Sequence, residues 1–176
     1  MKSARFVEVS RAGPEAVVMV VVTVTAGLLF AAAPRPLGML PEPWLSAAIV
    51  YFWTHRRPGV MPIWAVFLIG LFQDLLTGSP MGLWALSLLA ISMIGRLTRS
   101  QAYGEALPRR IAYFAGAVLV MVLASWMALS LVGLGARAPL ASIALHGLVT
   151  VLAYPLVEAA LGFLAARVGL RRGAIG

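Results

Sequence analysis

The chain has 176 residues, 61% hydrophobic and only 11% charged, whereas a soluble domain carries about 45–50% apolar and about 25% charged residues. Too few charges remain to coat a water-facing surface. This excludes a soluble enzyme and a disordered tail, and it points to a polytopic all-α membrane protein forming a single membrane domain, residues 1–176. The net charge of +8 (pI near 11.3) lies in small basic clusters between apolar runs, not on a solvated face, so nucleic acid is not an expected partner; cysteine is absent, which excludes disulfides, thiolate nucleophiles, iron–sulfur clusters and cysteine-ligated zinc.

A bilayer core of about 30 Å needs roughly 20 apolar residues at about 1.5 Å per residue. Six runs are candidates. The first, 16–33, is uncharged and follows Gly13-Pro14-Glu15; a cleaved signal peptide is not expected there. The second, about 37–54, has Glu42 and two prolines near its start. The third, about 60–73, is short at 14 residues, and the fourth spans about 80–95. Between these two lies 74–80, so either two short spans or a re-entrant hairpin fits; two spans are preferred because Leu75 and Leu76 can extend the third helix. The fifth run is 111–134, and the sixth, 139–166, is interrupted by Glu158. The longest loop, Arg96 to Arg110, is too short to be a domain.

With the N-terminus in the cytoplasm, twelve of the fourteen Lys and Arg residues fall inside and only Arg35 and Arg137 fall outside. This positive-inside asymmetry predicts a bundle of six transmembrane helices with both termini cytoplasmic. The basic inner loops are suited to anionic lipid headgroups.

The sharpest local signal is the block from Phe67 to Leu83. An acid beside an apolar helix must sit near an interface or be paired, and for Asp74 the outer side offers Arg35 or Arg137. Gly78 and Gly82 form a small-xxx-small pair, which lets another helix approach closely. A helix end with a turn and a helix-packing or partner-docking element (Gly70, Asp74, Gly78, Pro80, Gly82) fit this block equally.

The sixth run carries Ser142, His146, Thr150, Tyr154 and Glu158, each four residues after the last. At 100° per residue the set drifts by about 160°, giving a curved polar ridge that should face other helices. Pro155 removes a backbone donor beside it and marks a place for a kink. Interhelical hydrogen bonding is the favoured role; a lined polar cavity and a proton path also fit, although a relay would want more carboxylates.

Catalysis is poorly supported. Ser142 and His146 are one turn apart on one helix, leaving no room for a substrate between them. Only His55 and His146 could ligate a metal through imidazole, and they lie far apart in sequence, with His55 beside Arg56 and Arg57. No phosphate-binding glycine motif occurs, and no cofactor is expected. The aromatics Trp44, Tyr51, Phe52, Trp53, Trp64, Trp84, Tyr103, Tyr113 and Trp126 read mostly as interfacial belts.

The Gly70-Leu71-x-x-Asp74-x-x-x-Gly78-x-Pro80-x-Gly82 block resembles the central signature of MreD, the family of bacterial rod shape-determining membrane proteins. Residues Pro43 to Trp53, followed by Arg56-Arg57-Pro58-Gly59, look like that family's preceding segment. Length, span count and a cytoplasmic basic tail agree, and the specific part of the likeness covers about residues 43 to 90. The resemblance implies a non-enzymatic component of the cell-elongation machinery in the inner membrane. It implies association with MreC and with the complex of RodA, a class B penicillin-binding protein and MreB. The family is also similar in architecture to the substrate-binding S-components of vitamin transporters, so an S-component-like small-molecule binder is the alternative.

Overall fold

The computed structural model describes residues 14–33, 41–98, 107–131 and 140–167. Within them are six helices and no strand: α1 (Pro14–Ala32), α2 (Leu45–Arg56), α3 (Ile63–Thr77), α4 (Leu83–Leu97), α5 (Leu107–Leu131) and α6 (Leu140–Arg167). Three of them, α1, α5 and α6, are long and apolar enough to cross a membrane. The expected full-length second span is not found. Pro41 to Trp44 are non-helical and α2 has only 12 residues, about 18 Å long. Pro43 supplies no amide and restricts Glu42, so the helix starts after both prolines.

The helices pack in the order α1–α3–α4–α5–α6, and α2 fills the middle, touching α1, α4 and α6. Every residue of α2 from Ser46 to Thr54 is buried. Tyr51, Phe52 and Trp53 are therefore core residues, not part of an interfacial belt. The Trp53 indole donates to Thr23 Oγ1 at 3.0 Å, which satisfies its one polar atom, and Tyr51 packs against Phe114 and Tyr154. Trp64, by contrast, is exposed.

Each outer helix buries one stripe. On α1 the buried residues are Ala16, Met19, Val20, Thr23, Val24, Gly27 and Leu28, at the three-and-four spacing of a helix face. The rest of α1 presents Val17, Val18, Val21, Val22, Leu29 and Phe30 outward. The same arrangement leaves Phe67, Leu68, Phe72 and Leu75 exposed on α3 and Leu148, Leu152, Leu156 and Phe163 on α6. An apolar exterior around a core holding buried Gln, Asp and Glu is the reverse of a water-soluble pattern and suits a lipid environment.

Close approaches occur where side chains vanish. A Cβ on Gly70 would lie 2.3 Å from Ala85 Cα, so α3 and α4 cross backbone to backbone. Gly95 makes room for the Thr54 hydroxyl and the Tyr51 ring of α2, and Gly147 for the Val118 and Val122 side chains of α5. α6 runs unbroken through Pro155.

Candidate functional site

The two buried acids of the described residues, Asp74 and Glu158, lie at opposite ends of the bundle, each with a cluster of polar partners. At the first end is the corner between α3 and α4. Asp74 lies in the last turn of α3, not in the loop after it, and is 1% exposed. Gly78 closes the helix with φ 64°, a left-handed cap whose N–H bonds to Asp74 O. Gly82 (φ 96°) opens α4. The chain doubles back between them, and the Asp74 carboxylate meets three donors. Ser79 Oγ donates to Oδ1 at 3.0 Å, Trp84 N donates to Oδ1 at 2.9 Å, and Gly82 N donates to Oδ2 at 2.8 Å. An acid from one helix thus caps the start of the next, where free amides and the helix dipole favour negative charge. Thr77 Oγ1 sits 2.8 Å from Ser79 Oγ and donates to Gln73 O, bracing the turn.

This geometry corrects the small-xxx-small reading of Gly78 and Gly82. Both lie outside the helices, and a Cβ on either would meet nothing within 4 Å. They supply left-handed backbone; Gly70 is the glycine that admits a neighbouring helix. Arg35 and Arg137, the expected partners of Asp74, lie outside the described residues, as does Tyr103.

At the other end, Glu158 (6% exposed) joins three helices. Arg56 of α2 donates to its Oε1 at 3.2 Å, and Arg110 of α5 donates to the same oxygen. Nearby, Arg96 of α4 donates to the carbonyls of Pro58 and Met61, and His55 Nδ1 lies 3.2 Å from Gly95 O. Basic residues from separate stretches of sequence therefore converge on one end of the bundle. Among the described residues Glu158 Oε2 has no hydrogen-bond partner.

The polar ridge of α6 divides. Thr150, Tyr154 and Glu158 are buried and face their neighbours, as expected. Thr150 Oγ1 accepts from Trp44 N at 2.8 Å and donates to His146 O at 2.7 Å. The Tyr154 ring stacks on Phe114 at 4.1 Å. His146 is half-buried and stacks on Trp44 with ring centroids 6.1 Å apart. Ser142 is exposed and takes no part in the interior. The ridge does not line one continuous cavity: only His146 borders the cleft described next.

That cleft, of about 50 Å³, lies at the Asp74 end among α1, α2, α3, α4 and α6, with Trp44, Trp84 and His146 on its walls. Pockets that enclose drug-sized ligands run to about 300–1,000 Å³, so this one is too small for a vitamin. The Arg56–Glu158–Arg110 junction and the polar atoms of Gln73 and Ser46 were not legible as a set in the sequence. For Glu158 a signal existed: an acid inside an apolar run needs a partner, and the positive-inside count puts Arg56 and Arg110 on its side.

The chain matches no family model, no curated protein and no solved structure.

Proposed function

We propose that the chain is a non-enzymatic scaffold of the MreD type. In this reading it is embedded in the bacterial inner membrane by six helices with both termini cytoplasmic. It binds MreC and is linked, directly or through MreC, to RodA, a class B penicillin-binding protein and MreB. The observation that carries the reading is the corner at Asp74. The residues through which the chain resembles MreD, Gly70, Asp74, Gly78, Pro80 and Gly82, all fall on one compact unit in which α3 crosses α4 and turns back. At the other end the buried Glu158 joins α6 to α2 and α5, a role suited to a scaffold.

The orientation is supported by the charge count and by the gathering of Arg56, Arg96 and Arg110 at one end, opposite the Asp74 corner. That basic end is suited to contact with anionic headgroups. The three shorter helices need not each span a full bilayer thickness by themselves: α2 is enclosed by its neighbours, and the α3–α4 hairpin of about 22 Å is accommodated by local thinning.

Two experiments test the proposal. Detergent extraction of the tagged chain co-expressed with MreC is expected to recover both proteins together; recovery of the chain alone removes the partner. A phosphatase fused after Gly176 is expected to be inactive and a fluorescent protein at the same place bright; the opposite pattern inverts the topology.

A further inference from the structure

Two buried polar side chains near the Asp74 corner are not accounted for by the packing. Gln73 is 1% exposed and Ser46 is 3% exposed, and the oxygens Gln73 Oε1 and Ser46 Oγ have no hydrogen-bond partner among the described residues. They lie on different helices, α3 and α2, and both border the same cleft of about 50 Å³. Its other walls include Trp44, Trp84 and His146, with the two indoles edge to face at 5.7 Å, and Glu42 lines the same cleft.

The chemistry of these groups constrains the occupant. An amide oxygen can only accept, and a hydroxyl can accept as well as donate, so the occupant must bring donors. The aromatic walls favour a cation over a neutral group. The volume admits the end of a chain and excludes a sugar ring. Charge, several N–H donors and small size together describe one group. We propose that this cleft binds a primary ammonium group, held by Gln73 Oε1 and Ser46 Oγ against the indole walls. The cleft is formed by the C-terminal ends of α1 and α3, the N-terminal ends of α2 and α4, residues 42–44 ahead of α2, and His146 of α6. In the membrane reading above, on which this step rests for its lipid source, those ends lie at headgroup depth. The amine is then that of an ethanolamine lipid; a free alkylamine is the other source of the same chemistry.

The lipid arm uses the full chain in nanodiscs of phosphatidylethanolamine, its N,N-dimethyl form, phosphatidylcholine or phosphatidylglycerol, with bound lipid counted by native mass spectrometry. These first three headgroups differ in N–H number while keeping the phosphate. The expected order is ethanolamine, dimethyl, choline, with about a tenfold preference of the first over the last. Gln73→Leu with Ser46→Ala should abolish the preference. Gln73→Glu, which puts a full negative charge at the same place, should strengthen it, so a folding defect in the first variant leaves a second reading. Equal retention of all four lipids, the glycerol headgroup included, together with no response to ethylammonium, overturns the proposal.

The free-amine arm titrates ethylammonium chloride into the detergent-solubilised chain and follows tryptophan emission. A saturable change lost in Gln73→Leu, without a lipid preference, assigns the site to a free amine and supports the shared chemistry. Two ordered waters filling the cleft in ethanolamine nanodiscs, with no response to ethylammonium, overturn it. Release of the chain from membranes by alkaline carbonate would remove the membrane reading and the lipid source, while the ethylammonium titration would still decide the site.

Discussion

Asp74 and Glu158 are both buried acids in an apolar bundle, yet they are held in opposite ways. Asp74 takes its donors from its own hairpin, the farthest only 10 residues on, and they are two amides and a hydroxyl. Glu158 takes its donors from 102 and 48 residues away in sequence, and both are arginines. The first arrangement is complete as soon as α3 and α4 form. The second exists only once α2, α5 and α6 have come together. One carboxylate therefore shapes a local unit, and the other reports the assembly of the whole bundle.

Substitution should separate the two. Asp74→Leu leaves the half-buried amides of Gly82 and Trp84 with nothing to accept them and Ser79 with Thr77 Oγ1 alone, a loss of about 4 kcal/mol at roughly 1–3 kcal/mol per unsatisfied group. The expected outcome is collapse of the folded fraction in a titration from mild detergent into dodecyl sulfate. Asp74→Asn keeps one acceptor oxygen but turns an amide N–H₂ toward donors, and should lose about 2 kcal/mol. If Asp74→Leu unfolds at the wild-type midpoint, the corner does not depend on its carboxylate.

Glu158→Leu should cost less, about 3 kcal/mol, the lower end for a broken buried pair, because Arg56 and Arg110 keep part of their surface exposed. The sharper experiment removes all three charges. Glu158→Leu with Arg56→Met and Arg110→Met should recover most of the loss, since an apolar replacement of a whole buried ionic cluster is commonly tolerated. No analogous rescue exists for Asp74, whose donors include backbone amides that cannot be deleted. A triple variant no better than the single one would mean that the arginines hold the bundle by packing alone.

The contrast also explains what could be read in advance. The apolar runs marked α1, α5 and α6 to within a few residues, because a long uncharged stretch carries its own evidence. The start of α2 is not legible in hydropathy, which does not register what Pro41 and Pro43 do to a helix. In the Asp74 block the residue types were visible but their roles were exchanged: the four-residue spacing of Gly78 and Gly82 suggested a helix face. Pro80 between them was the contrary signal, since the residue before a proline avoids helical backbone. The burial of Thr150, Tyr154 and Glu158 followed from their periodicity, whereas the exposure of Ser142 did not, because it depends on where the bundle ends. Pairing between α2 and α6 is a property of the tertiary fold, and no local pattern encodes it.

Gly70 bears on how tightly the local unit is closed. Its missing side chain lets α4 begin directly against α3, and a Cβ there would lie 2.3 Å from Ala85 Cα and 2.6 Å from Ala85 N. These are backbone atoms and cannot swing aside, so Gly70→Ala must push the two helices apart, at about 2 kcal/mol for an overpacked contact. The Asp74 bonds to Gly82 and Trp84 would lengthen with that shift. A midpoint in dodecyl sulfate lowered in Gly70→Ala but unchanged in Gly70→Ala on an Asp74→Leu background would show that the two features act through one crossing.

The smallest effect decides most directly between a turn and a docking surface at this corner. Gly78 has φ 64° and ψ 23°, and nothing lies within 4 Å of a Cβ placed on it. Space is therefore not at issue, only backbone conformation. Gly78→Ala forces an ordinary residue into the left-handed region and should lose about 1 kcal/mol. Asn adopts that region more readily than other residues with a side chain, so Gly78→Asn should unfold close to the wild-type midpoint. The two variants add side chains of different size at one exposed place. If the glycine is there for its backbone, the smaller side chain does the greater harm. If a partner helix lies against it, the larger Asn does, and co-purification with MreC falls in Gly78→Asn while the unfolding midpoint stays where it was.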